Sequence, residues 1–265
     1  MEKGNKKNFD YSVLAIGWDV RGWLGKKQAI AIVKLKPAVA ELKSKWWVSD
    51  DFKFTQDEPL CLSSLIKPAL GEDYQSILKD TDQIIIGIDA PLAFPRALKD
   101  LLNDAAADFV PAGREIENLL AYRDCERWVY QVHGKKPLSA PFDKLGNGAT
   151  LAMAMCNGLR REGFSVLPQD ENQKKNSVIE VYPGIVKQES KRVSQAVDLI
   201  HRLMPDKYRP GTDQYDAAIC AIVAAVYAGA GSYFGLPDLV GFQSGYDCSE
   251  GWVYSFSAEF IESRR

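Results

Sequence analysis

The chain has 265 residues, 46% hydrophobic and 26% charged, proportions that exclude a disordered, collagenous or coiled-coil protein. Its 33 Lys and Arg against 35 Asp and Glu leave a net charge of −2, so there is no basic excess with which to grip long duplex nucleic acid. Five scattered cysteines without a CxxC pair, and only two histidines, exclude a zinc site and read as reduced thiols of a cytoplasmic protein.

In chain order, Met1–Asn8 carries lysines, but the apolar run after it is no signal peptide, because Trp18-Asp19 interrupts it. Ser12–Trp18 and Ala29–Lys36 read as two strands of a hairpin, joined through Gly22 and Gly25, and a third strand is expected around Lys45–Phe52. Leu62–Lys79 has helical spacing interrupted by Pro68 and Gly71. Gln83–Asp89 is a continuous apolar run ending in an acid, as suits a strand buried on both faces of a parallel sheet. Helices are expected over Ala97–Ala107, Glu115–Val132 and Ala149–Glu162, the last behind a Gly146-Asn-Gly148 turn, so that 93–176 forms a helical insertion or lid. Ser177–Tyr182 is a further strand, succeeded by helices at Ser194–Met204 and Asp213–Ala228 and an edge strand within Glu250–Phe256. Ala217–Leu236 is uncharged for about the length of a membrane span, but its glycines break the second half, and it reads as a helix buried against a sheet. With no repeats or linkers, one domain over 9–265 is expected, with no membrane association.

Acids in apolar strands are the anomaly, because an unpaired buried charge is costly. Asp19 ends the first strand, Asp89 ends Ile-Ile-Ile-Gly-Ile, and Glu180 sits within Val-Ile-Glu-Val-Tyr. Asp213 and Asp216 are three apart and share a helix face. Converging carboxylates repel unless a cation joins them, and an oxygen-only set suits Mg²⁺ or Mn²⁺, two of which can clamp a phosphodiester for hydrolysis. Each acid also has a plainer reading: Asp19 and Asp89 as turn residues, Glu180 in an ion pair with an arginine, and Asp213 as an N-cap with Asp216 in the first turn. Arg123 could contact phosphate or pair with a nearby acid such as Glu126. Gly146-Asn-Gly148 could cradle an anion or be a plain loop, Trp46-Trp47 could stack on bases or pack, and Cys125 reads as packing for want of an activating histidine.

Taken in order, Gly17-Trp-Asp19 with Gly22-Trp23, Ile88-Asp-Ala-Pro-Leu92, Arg123-Asp-Cys-Glu126, Ile179-Glu-Val-Tyr-Pro183, Tyr215-Asp-Ala-Ala218 and Glu250-Gly-Trp252 resemble domain-of-unknown-function family 429, whose members are described as predicted nucleases with an RNase H fold. The resemblance runs from about Ser12 to Phe256. It implies an α/β fold with an RNase H-like mixed five-stranded sheet flanked by helices and a largely helical insertion. It also implies acids on the first strand, at the end of the fourth and on a late helix, which Asp19, Asp89 and Asp213/Asp216 match, with Glu180 additional on the fifth strand.

The expected activity is Mg²⁺- or Mn²⁺-dependent phosphodiester hydrolysis. Asp19, Asp89, Asp213 and Asp216 would bind metal, Glu180 would hold or orient the attacking water, and Arg123 or Lys144 would steady the phosphate. The near-neutral charge directs this toward a short or single-stranded nucleic acid. The alternative is a non-catalytic binding protein that kept the fold and recognises a small molecule, nucleic acid or protein; ATP-dependent phosphoryl transfer would need a second copy of the fold.

Overall fold

The structure is a computed structural model and describes residues 11–23, 27–36, 43–103, 109–186, 195–205 and 208–262. Gly25, the end of the helix expected over 97–107, and Ser194 lie outside them.

Strands β1 (Val13–Asp19), β2 (Gln28–Lys36) and β3 (Lys43–Phe52) form an antiparallel meander. Helices α1 (Leu62–Leu70) and α2 (Tyr74–Lys79) come next, separated at Gly71, whose φ of 67° ends the first. The chain then enters β4 (Gln83–Asp89), which lies parallel to β1. Helices α3 (Arg96–Leu102), α4 (Asp124–His133) and α5 (Gly146–Arg161) lead to β5 (Ser165–Val166) and β6 (Ser177–Val181). The remainder is α6 (Pro183–Val186), α7 (Gln195–Leu203), α8 (Asp213–Ala225), α9 (Gly231–Phe234), β7 (Val253–Tyr254) and α10 (Ala258–Glu262).

Among the described residues the strands make one seven-stranded mixed sheet in the order β3-β2-β1-β4-β6-β5, with β7 also on β6. The resemblance implies five strands; the edge strand expected within Glu250–Phe256 forms as β7, and β5 is the addition, the two being two residues each and covering successive halves of the outer edge of β6. A segment as short as β5 carries no periodicity to be read. The core order β3-β2-β1-β4-β6, with only β2 reversed within it, is compatible with an RNase H-like α/β fold.

Both faces of β1 are buried, and alternation sorts them. Leu14, Ile16 and Trp18 join Ile86, Ile88 and α5 residues Leu151, Met155 and Leu159 on one face. Val13 and Ala15 join Ile85, Ile179 and the alanine-rich α8 on the other. Helix α5, from the stretch expected to be an insertion or lid, is therefore part of the layer that covers the sheet. The apolar, near-uncharged Asp213–Phe234 stretch, although long enough to cross a membrane, is packed against the sheet and turns at Gly229, with φ of 100°.

Two helical expectations change. Over 115–132 only a turn of 3₁₀ helix (Glu115–Glu117) forms before α4, because Arg123 is the N-cap and Glu126 accepts its backbone N–H, which fixes the helix start. Gly146 and Gly148 do not precede α5 but form its first turn.

Candidate active site

The ladder between β1 and β4 pairs Gly17 with Gly87 and, two residues on, Asp19 with Asp89. The two acids thus end adjacent parallel strands at the same level and, by alternation, on the face that carries α8. In open α/β sheets this carboxyl edge is where ligands are bound.

The glycine pair brings α8 to that edge. A Cβ on Gly17 would overlap the carbonyl oxygen of Ala217 and the backbone nitrogen of Ala221, and one on Gly87 would lie 2.5 Å from the Cys220 oxygen. The helix backbone therefore rests directly on β1 and β4. It runs antiparallel to β1: beyond its C-terminal end the Ala228 oxygen accepts from the Tyr11 hydroxyl at 2.8 Å, whereas its first residue reaches the loop after Asp19. This places Asp213 and Asp216, in the first turn, at the same edge as Asp19 and Asp89, with the positive end of the helix dipole. The N-cap is Thr212, whose hydroxyl accepts from Tyr215 N at 3.3 Å; Asp213 comes after it as the first helical residue.

Asp213 is ion-paired with Arg21, and the Arg21 Nε lies 3.6 Å from Asp19 Oδ2. One guanidinium thus stands between the two acids. The loop carrying it is pinned from both sides. The buried Gln28 accepts from Trp18 Nε1 and Arg21 N, both at 3.2 Å, and donates to the Gly22 oxygen at 3.1 Å. Asn147 Oδ1 accepts from Trp23 N at 2.9 Å, and Thr150 Oγ1 accepts from Trp23 Nε1 at 3.0 Å. The Gly146-Asn-Gly148 segment is thereby a docking point for this loop. Gln28 does not stand out in sequence, and Asn147 stands out only within a turn read as an anion cradle or plain loop, because a polar residue in a strand or turn carries no sign of a partner on another element.

Glu180 lies elsewhere. It pairs in register with Ile88, so alternation sets it on the opposite sheet face from Asp89. Both its oxygens are engaged: Arg123 Nη2 donates to Oε1 at 2.6 Å, and Arg123 Nη1 and Leu92 N donate to Oε2 at 2.8 and 2.9 Å. Arg123 also donates to Glu126 from Nε (3.1 Å) and Nη2 (2.9 Å), and to the Glu250 carbonyl at 3.1 Å. Only 1% of Arg123 is exposed, so its donors face carboxylates inside the protein and not a surface where phosphate could land. Glu250, missed as a site residue although it opens the Glu-Gly-Trp segment, accepts from Arg96 N at 2.6 Å and Asp124 N at 2.7 Å, joining the starts of α3 and α4. Burial pushes the neighbouring Cys125 thiol well up, which suits packing and not nucleophilic attack. Lys144 is exposed on the loop leading into α5.

The acids at the sheet edge offer oxygen donors only, a chemistry that fits Mg²⁺ or Mn²⁺, and two of them already share a cation in the Arg21 guanidinium. Among the described residues, no group of three or more His, Cys, Asp or Glu side chains is gathered tightly enough to hold an ion. The structure thus brings Asp19, Asp89, Asp213 and Asp216 to one edge, puts Glu180 and Arg123 in a buried ion-pair network that borders a cavity also lined by Asp89, and leaves Lys144 exposed on its loop. Comparison with protein-family models, with curated proteins and with solved structures finds no match to this chain.

Proposed function

We propose that this chain is a metal-dependent phosphodiesterase, a nuclease acting in the cytoplasm on short or single-stranded substrates with Mg²⁺ or Mn²⁺. The observation that carries the reading is the in-register pair Asp19–Asp89 at the carboxyl edge of β1 and β4, with the first turn of α8 at the same edge. The motif resemblance to family 429 and the strand order support it. Asp19, Asp89 and Asp216 would hold the ion, with Asp213 shared between it and Arg21. When bound, the ion supplies Lewis acidity for attack of water on phosphorus. The chain's own part is to fix the carboxylates on two strands that cannot shift relative to each other, and to offer Lys144 to the phosphate. Glu180 and Arg123 belong to the frame that holds β6 against α4. The net charge of −2 suits a small ester better than long duplex.

The test is cleavage of a single-stranded oligonucleotide with Mn²⁺. Asp19→Asn and Asp89→Asn should each abolish it while circular dichroism and melting stay native-like. Full cleavage by both variants sinks the reading. A non-catalytic binding protein on the same fold is the second reading, favoured by the Arg21 guanidinium already neutralising Asp19 and Asp213. It predicts no cleavage by the unmodified chain at any metal concentration.

A further inference from the structure

A cavity of about 180 Å³ opens beside Asp89. Its walls are largely apolar: Pro91, Pro137, Leu138, Leu145, Val253 and Tyr182. Apart from Asp89 and the Tyr182 hydroxyl, its polar side-chain lining is Arg123, Glu126 and Glu180, whose guanidinium and carboxylates already bind one another, so little else remains to recognise a polar ligand edge. The Tyr182 phenol is pushed up to about 12, chiefly by burial and further by the charge of Asp89, and so stays neutral beside that acid.

A pocket with these walls takes an apolar or aromatic group. Its volume sets the size, since a cavity of about 150 Å³ accepts a benzene-sized ring. Its position sets the context, because Asp89 belongs to both the cavity wall and the acid pair. We infer that the cavity seats a pyrimidine-sized ring carried by the phosphoester substrate, so that a nucleotide enters ring-first beside Asp89 with its ester at the acid edge. This rests on the hydrolytic reading above. Recognition is by stacking and fit, which tolerates any base that is small enough. Uracil and cytosine are therefore held alike, and a purine less well.

Calorimetry of uridine, ribose and adenosine against the intact chain in EDTA tests the seat without metal. Uridine binds, ribose does not, and adenosine binds more weakly than uridine. Leu138, 51% exposed at the rim, can be enlarged without disturbing the core. Leu138→Trp, filling the cavity, weakens uridine at least tenfold, and Tyr182→Leu does so independently by removing the stacking ring. In a Mn²⁺ cleavage assay of a uridine dinucleotide, Leu138→Trp raises KM about tenfold. Absence of uridine binding, or binding unchanged in both variants, overturns the seat whatever the cleavage result. Uridine binding lost in both variants of a protein that cleaves no phosphodiester supports the seat and overturns the hydrolytic reading instead.

Discussion

Asp19 and Asp89 are lateral partners in a parallel ladder, each two residues beyond a glycine that lets the same helix rest on the sheet. The spacing Gly-x-Asp thus occurs twice for one reason. The glycine admits the α8 backbone, and the acid two positions later shares its face at the edge where that helix begins. Gly17→Ala should be destabilising by about 1–3 kcal/mol, the range for overpacking a filled interior, because the new methyl meets backbone and not a movable side chain. Chemical denaturation measures it. An unchanged midpoint would mean that α8 does not sit where described.

The Arg123 network should behave as structure. Arg123→Met leaves Glu126 and Glu180 buried without their cation and should cost about 3–5 kcal/mol, the usual penalty for breaking a buried ion pair from one side. Glu180→Gln should lower stability yet keep Mn²⁺-dependent cleavage per folded molecule. A Glu180→Gln protein of native stability and no activity would return Glu180 to the chemistry.

Arg21 competes with any ion for Asp19 and Asp213. Its side chain is 44% exposed, and exposed pairs are worth about 0.2–1 kcal/mol. Arg21→Ala should therefore tighten Mn²⁺ binding by up to about fivefold, read by calorimetry. Weaker binding in this variant would show that Arg21 orders the acids and does not oppose the ion.

Burial raises the phenols of Tyr182 and Tyr208 from 10.0 to about 12. An acid whose folded pKa is raised contributes stability that is complete below the unfolded value and lost as pH climbs through the folded one. The protein should accordingly be insensitive to these groups below pH 10 and lose stability between pH 10 and about 12. Phenolate absorbance should show a class of tyrosines that ionises only as the fold is lost. Smooth titration of all tyrosines near pH 10 in a folded protein would contradict this.

Much of the sheet was legible because β1, β2 and β4 are apolar runs bounded by acids or turns, and the anomaly of Asp19 and Asp89 at their ends marked the edge. What one sequence conceals is partnership at a distance. Glu180 and Arg123 are 57 positions apart, and only Glu126, three residues from Arg123, could be read as a local partner. Ile116, Leu119 and Leu120 mimic helical spacing before α4, but the Arg123–Glu126 capping pair restarts the helix later. The pocket beside Asp89 draws on β4, the start of α4, the segment between α4 and α5, β6 and β7, and no pattern in any one of them signals it.

The acids at the carboxyl edge of β1 and β4 should bind a divalent ion. Calorimetric titration of Mn²⁺ into the intact chain, and into its Asp19→Asn and Asp89→Asn variants, decides this. Saturable binding at or below millimolar concentration, lost in both variants while their melting curves stay native, is the predicted result; no binding at millimolar Mn²⁺, or binding unchanged in both variants, would contradict it.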